Sequence, residues 1–427
     1  MRPPLFFSLA AIITLLLPAC RAPRHTAPPS SQHLPDKSPI QSHPPFLSLL
    51  RAPSSPPGYA TLRTRSEKYA EYEENPFLAV KDAPRSTFSV DVDTASYANV
   101  RRMIQHKQEV PRDSVRIEEM VNYFPYHYPK PTHETIPFAI AEEVSSCPWE
   151  PDHKLVRIAV QGQDVKSENR PHANIVFLID VSGSMSAENK LPLLKKSLSM
   201  LIDQLNEDDR IALVVYAGSS GLVLPSTPVS QSDKIHEAIQ DLSSGGSTAG
   251  GAGINLAYKT ARKNFLEGGI NRVILATDGD FNVGVTADRE LTDVIEEKAR
   301  SGIELTVLGF GMGNYNDSML EKLSGKGNGN YAYIDTEKEA RKVLVRETSG
   351  SLVTIAKDVK LQVEFNPAKV QAYRLLGYEN RKLKDRDFND DKKDAGEVGA
   401  GHQVTAFYEV VPVGVEFEQS SLTPLRY

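Results

Sequence analysis

The chain reads as an α/β protein, a doubly wound, mostly parallel sheet flanked by an N-terminal α+β region and a C-terminal β-rich region. Three observations predict this. Between about 153 and 352, short apolar runs alternate with amphipathic helical stretches, the pattern of a parallel sheet covered on both faces. Residues 174–179 are almost wholly apolar, as a strand buried on both sides requires. Three loops in this region are rich in Asp, Ser, Thr and Gly, the composition of a ligand-binding edge at the carboxyl ends of strands.

The elements follow in order. Arg2 precedes an apolar run, 5–17, that is short for a bilayer span and has the length of a signal h-region. Residues 21–67 are rich in Pro, Ser and His, with Pro-Pro at 28, 44 and 56, and lack apolar periodicity; they read as a disordered tether. A distinct α+β region, 68–152, holds an alternating strand at 86–93, a helix at 94–108 and a second helix at 114–124. Pattern alone leaves open whether 87–93 joins the large sheet. Within 153–352 the spacing predicts strands at 174–179, 210–217, 272–277, 304–310 and 331–334. Helices are predicted at 190–205, 233–242, 254–265, 288–300, 317–323 and 338–349. Residues 222–228 read as an edge strand, since proline cannot donate to a ladder. After 352 the strands 359–365, 370–375 and 404–411 make up the C-terminal region 353–427, which stops as another strand opens. The charged run 382–393 between them reads as a solvated loop.

A chain of 427 residues is long enough for two or three domains, and 40% hydrophobic with 24% charged residues is a globular composition. The net charge of −6 argues against a general nucleic-acid binder. The two cysteines are Cys20 and Cys147. Leu17-Pro-Ala-Cys20 resembles the bacterial lipoprotein box, from which Pro18 departs. That resemblance implies cleavage before Cys20 and a lipid anchor on it. Arg21 in place of Asp then implies the outer membrane in a host that has one. Cys147 is in that case a buried small hydrophobe. The alternative is an ordinary secretory signal, which would leave Cys20 and Cys147 able to pair.

Three polar loops carry the chemistry. Asp180-Val-Ser182-Gly-Ser184 follows the first strand, Ser247-Thr248 lies in the glycine-rich loop 243–253, and Thr277-Asp278-Gly279-Asp280 ends a later strand. All offer hard oxygen donors without His or thiolate, which suits Mg²⁺ or Mn²⁺ rather than Zn²⁺. The bland account makes Ser182, Ser184 and Thr248 helix caps and Asp278 a turn former.

Asp-x-Ser-x-Ser, a distant Thr in a glycine-rich loop and Thr-Asp-Gly after an apolar strand resemble the metal-ion-dependent adhesion site of von Willebrand factor A domains. The resemblance implies a metal held by Asp180, Ser182, Ser184, Thr248 and Asp278. It further implies hydroxyls as direct ligands, aspartates acting partly through water, and a partner's Asp or Glu carboxylate completing the shell. Asp280 is a candidate for the surrounding hydrogen bonds or a plain turn residue. Glu74-Asn-Pro-Phe77, 87–97, 116–124, Cys147-Pro-Trp149 and 394–402 resemble the flanks of a YfbK-like family of bacterial lipoproteins, whose members run further. A binding protein of the cell envelope, with no enzymatic activity, is the expectation that results.

Other functions find less support in the residues. Asp91-Val-Asp93-Thr94 is similar to the paired aspartates of haloacid-dehalogenase phosphatases, but its threonine is one place early and a cap by Thr94 or Ser96 is simpler. A Mg²⁺-dependent hydrolase at Asp180 would need a second acid where Ser182 stands, and a base; His172 precedes the strand and so belongs at the far end of the sheet. The loop at 243 has no Lys-Ser/Thr of a nucleotide site. A purely structural envelope lipoprotein is the remaining alternative.

Overall fold

The computed structural model describes residues 11–14, 67–90, 92–133, 136–165, 170–217, 219–246, 250–279, 288–347, 352–390, 393 and 395–416. Strands β1 (Ala11–Thr14), β2 (Leu78–Ala79) and β3 (Arg85–Ser89), helices α1 (Ala95–Gln105) and α2 (Ile117–Asn122), and strands β4 (Phe138–Ser146) and β5 (Lys154–Gly162) come first. The α/β unit then runs β6 (Ala173–Asp180), α3 (Leu191–Ile202), β7 (Arg210–Tyr216), β8 (Ser220–Pro228), α4 (Ser232–Gln240) and α5 (Gly250–Lys263). It continues through β9 (Ile270–Thr277), α6 (Asp288–Arg300), β10 (Glu304–Phe310), α7 (Asp317–Lys326), β11 (Tyr331–Ile334) and α8 (Glu337–Arg341). Strands β12 (Thr354–Glu364), β13 (Val370–Leu376), β14 (Lys382–Leu383), β15 (Gly396–Gly399) and β16 (Gln403–Pro412) complete the order.

The six strands of the α/β unit lie in the order β11-β10-β9-β6-β7-β8, parallel except for β8, which runs antiparallel to β7 at the edge. Pro225 and Pro228 lie on that edge strand, where a missing donor is tolerated. All eight residues of β6 are buried, so the apolar run seen in the sequence is the centre of the sheet. Its side chains alternate between two cores, as the period of a strand dictates. Ile175, Phe177 and Ile179 pack with Leu194, Leu198 and Leu201 of α3 and Ile235 and Ile239 of α4. Val176 and Leu178 pack with Ala257, Tyr258 and Ala261 of α5 and Leu320 of α7. Each such side chain contributes roughly 1.5–3 kcal/mol by leaving water, and truncation of Phe177 to alanine would cost about 3–5 kcal/mol. Ala95 and Ala98 of α1, from the segment before the unit, belong to the second of these cores.

Strands from either side of the α/β unit share two further sheets. One has the order β1-β12-β3-β14, with β15 also on β12; the other has the order β2-β13-β16-β5-β4. Their common core includes Phe88 and Val90, Val156 and Ile158, Tyr373, Tyr408 and Val410. The residues at 87–89 therefore pair with β12 and β14 and not with the large sheet. β4 carries no clear alternation because it is an edge strand with most positions exposed, which is why pattern did not reveal it. The charged run after 382 is not simply solvated: Phe388 is buried, and Lys360 Nζ donates to the carbonyls of Asp387 (3.1 Å) and Asp390 (2.6 Å). Ala11–Thr14, inside the apolar run read as a leader, lies as a short strand parallel to β12, where its backbone groups find partners on an open edge. Among the described residues no helix is long and apolar enough to cross a membrane.

Two adjacent arginines, Arg101 half-buried and Arg102 buried, help fasten the leading segment to the α/β unit. Arg101 reaches Asp335 (2.5 Å) and Glu339 (2.8 Å) of that unit, while Arg102 donates to Glu67 at 2.9 and 2.8 Å within the leading segment and so holds Glu67 where it accepts from the Gly313 amide (2.9 Å). Burial pushes the Glu67 carboxyl up, but the Arg102 guanidinium and the Gly313 amide outweigh it and hold the group below its ordinary value. Cys147 is buried as a thiol.

Candidate metal centre

The chain leaves β6 toward β7 on one side and toward β9 on the other, so the carboxyl ends of β6 and β9 flank a topological switch point, where open α/β sheets bind ligands. Asp180 is the last residue of β6 and Asp278 follows β9, and both are fully buried. Parallel pairing in register places these two ends side by side.

Asp180 is held at both oxygens. Its Oδ1 accepts from the Ser182 amide (2.9 Å), and its Oδ2 accepts from Tyr216 OH (3.2 Å) and Thr277 Oγ1 (3.1 Å). Burial pushes its carboxyl up, the neighbouring Asp278 charge adds to this, and the hydrogen bonds from Ser182 and Thr277 oppose it. The Tyr216 phenol, at the end of β7, is driven well above its usual range by burial and by Asp180. A carboxylate so fixed is held in one orientation, and Oδ1, with one amide donor, keeps a lone pair for a further partner.

Ser182 Oγ and Ser184 Oγ lie 3.0 Å apart, so two hydroxyls converge on one point. Ser182 is buried and Ser184 exposed, which puts the pair at the boundary between the sheet end and solvent. Ser182 precedes the short 3-10 turn Gly183–Ser186 without capping it through its side chain, and no side-chain cap is made at the start of α3. The capping account thus fails for these hydroxyls. It fails also for Thr94, which precedes α1 without a side-chain cap, and Ser96 donates instead to the Ser114 carbonyl at 2.7 Å.

Thr248 and Asp280 lie outside the described residues, as do Asp91 and Cys20. The residues on either side of Thr248 are held to the site. Gly245 donates its amide to Val181 O (2.7 Å), and Gly183 donates to Gly246 O (3.1 Å). On the far side Gly253 of α5 sits against Tyr216, so closely that a Cβ there would meet the tyrosine Cβ at 2.9 Å. Glycine is required at that crossing because a side chain has no space. Gly279, with φ of +88°, makes the tight turn after Asp278, and its amide donates to Thr277 Oγ1 at 3.1 Å.

One participant escaped the sequence reading, which took Lys190 as the start of a helix. Its ammonium lies 2.7 Å from Asp278 Oδ2, with 8% of the lysine side chain exposed and none of the aspartate. Tyr216 was also missed; reading every strand's carboxyl end at the switch point, not only the acidic ones, would have nominated it. His172 is exposed at the amino end of β6, as expected.

The donor set fits a hard divalent cation. It consists of oxygen alone, two carboxylates and two hydroxyls, and a positive group already sits on Asp278. Among the described residues no group of three or more His, Cys, Asp or Glu gathers. Asp180, Ser182, Ser184 and Asp278 are the described residues that could hold the ion, Asp180 directly or through water.

Residues 174–347 match the von Willebrand factor type A domain family, 63–157 match a family described as von Willebrand factor, and 350–427 match the C-terminal family of the uncharacterized protein YfbK. The chain is 46% identical over 366 residues to the uncharacterized protein YfbK of Escherichia coli strain K12, covering 84% of this chain and 63% of that one. It thus spans less than two thirds of that relative. It is 31% identical over 160 residues to human inter-alpha-trypsin inhibitor heavy chain H4, covering 35% of this chain and 17% of that one. Among solved structures, a von Willebrand factor type A protein from Catenulispora acidiphila aligns with a TM-score of 0.42 at 17% identity, covering 64% of each chain. Type A domains mediate protein–protein contact.

Proposed function

We propose, for a chain that carries a von Willebrand factor type A domain at 174–347, that it is an envelope-anchored binding protein whose site takes Mg²⁺ or Mn²⁺ and engages an Asp or Glu carboxylate of a partner protein. The observation that carries this reading is the arrangement at the switch point. A buried aspartate has both oxygens held, and it fixes a loop whose two hydroxyls converge at the solvent boundary. When bound, the cation supplies an open coordination position of positive charge.

The chain's own residues do the rest. Ser182 and Ser184, being neutral, leave most of the ion's charge uncancelled, so the site attracts an anion from outside. Tyr216 and Thr277 hold Asp180 in one orientation at the site. Thr248 completes the set in this reading. Metal and partner then bind interdependently, each stabilising the protein by mass action. A nucleophilic role for either serine would need a base beside it, and the hydrogen bond Ser182 Oγ makes is to another serine.

The anchor rests on Leu17-Pro-Ala-Cys20, with lipid on Cys20 and the Pro- and Ser-rich stretch before Glu67, which lies outside the described residues, as the tether that holds the folded body away from the membrane, the outer one in a host that has it. The test is capture of partners from envelope extract by the full chain, with Mg²⁺ and with EDTA, using wild type and Asp180→Ala. Prey held by wild type with Mg²⁺ and lost under the other conditions supports the reading. Prey retained equally throughout contradicts it, and phosphatase activity lost in Asp180→Ala would replace it with an enzyme.

A further inference from the structure

We infer that Lys190 is a built-in occupant of the cation site, a competitor that a divalent ion must displace from Asp278, so that it sets how tightly and when the site loads. This rests on the cation reading above. Two independent observations support it.

The first is the ion pair itself. Lys190 Nζ lies 2.7 Å from Asp278 Oδ2, both side chains are nearly or wholly buried, and the position is the one where the donor set calls for positive charge. An unpaired carboxylate beside the fully buried Asp180 would be costly, and the ammonium removes that cost when no metal is present.

The second is the path of the lysine stem. Lys190 runs directly over Gly311, the residue after β10, and a Cβ on Gly311 would fall 2.2 Å from Lys190 Cε, 2.7 Å from Cγ and 2.9 Å from Cδ. Gly311 also has φ of +76°, so both its lack of a side chain and its backbone form serve this crossing. The Tyr333 hydroxyl donates to the Gly311 carbonyl and fixes the groove from beneath. A surface lysine making a casual contact needs no such channel.

An ammonium and a divalent ion cannot share Asp278 Oδ2 at contact distance, because like charges repel strongly in a buried setting. Loading therefore requires the Lys190 side chain to withdraw from its channel toward solvent, and the site exchanges one cation for another. A protein so equipped tolerates an empty site without a carboxylate pair left uncompensated.

The experiment uses the full chain and Mn²⁺ alone as probe. Isothermal titration of wild type and Lys190→Met should show binding at least about tenfold tighter in the variant, since the competitor is gone. In wild type, acetylation of Lys190 followed by mass spectrometry should rise when Mn²⁺ is added, because the amine is released; this arm needs no variant and decides the matter if Lys190→Met does not fold. Unchanged or weaker affinity in Lys190→Met, or acetylation indifferent to Mn²⁺, overturns the inference while leaving the cation reading standing. Absence of Mn²⁺ binding in both proteins overturns both.

Discussion

The Arg116 guanidinium lies 2.5 Å from Asp317 Oδ2, both groups buried, and joins the residue before α2 to the first residue of α7. The same guanidinium meets Glu119, and Tyr331 OH donates to Asp317 Oδ1 at 2.8 Å. The segment ahead of the α/β unit is thereby tied to its core by charge as well as by apolar contact. Burial opposes the Arg116 charge, but Asp317 and Glu119 outweigh it and hold the group firmly ionised. Arg116→Ala should cost about 3–5 kcal/mol, since two buried carboxylates lose their counter-charge. Urea unfolding measures this, and a loss below about 1 kcal/mol would show the network to be ornamental.

Ser184 is exposed and caps nothing, so Ser184→Ala should leave the circular dichroism spectrum and the unfolding midpoint within about 0.5 kcal/mol of wild type. Mn²⁺ affinity should fall on the order of tenfold or more, as for loss of a group that serves a metal. An unfolded spectrum would mean the hydroxyl serves the fold after all.

Tyr216 and Thr277 donate to the same oxygen of Asp180. Tyr216→Phe and Thr277→Val should each cost about 1–2 kcal/mol, and the double variant should depart from additivity by at least about 0.5 kcal/mol. Strict additivity in denaturant unfolding would contradict a shared acceptor.

His402 lies at the junction of the β sheets with the α/β unit, and its Nδ1 accepts from the Gly399 amide at 3.4 Å. Burial, with the charges of Arg272 and Lys342, lowers it from 6.5 to about 4. Between these values the unfolded chain binds the proton and the folded chain does not. The His402 contribution to stability is thus complete above about pH 6.5 and is lost as pH falls toward 4. For a partly exposed ring the loss is about 1–3 kcal/mol. His402→Gln should flatten the urea midpoint across that window, and an unaltered slope would exclude His402 as its source.

Much of the large sheet was legible because its strands are buried on both faces and its helices amphipathic, so the period of the apolar residues survives in the sequence. Residues 304–310, 331–334 and 288–300 are a strand, a strand and a helix with the bounds that spacing predicts. The flanks were less legible for a physical reason. β3 and β5 pair with strands more than two hundred residues later in the chain, and pairing partners at such separation leave no local trace. At the site, Asp180, Ser182, Ser184 and Asp278 stood out by type and spacing. Lys190 did not, because a lysine beside a helix start reads as a solvated residue until Gly311 and Asp278 are seen around it.

The most direct test of the central claim is an electron paramagnetic resonance titration of the full chain with Mn²⁺, in which bound ion loses the free-ion signal. The account predicts a single class of saturable site, competed by excess Mg²⁺ and abolished in the Ser182→Ala, Ser184→Ala double variant while the fold persists. A free-ion signal undiminished by wild type, or diminished equally by the double variant, would contradict it.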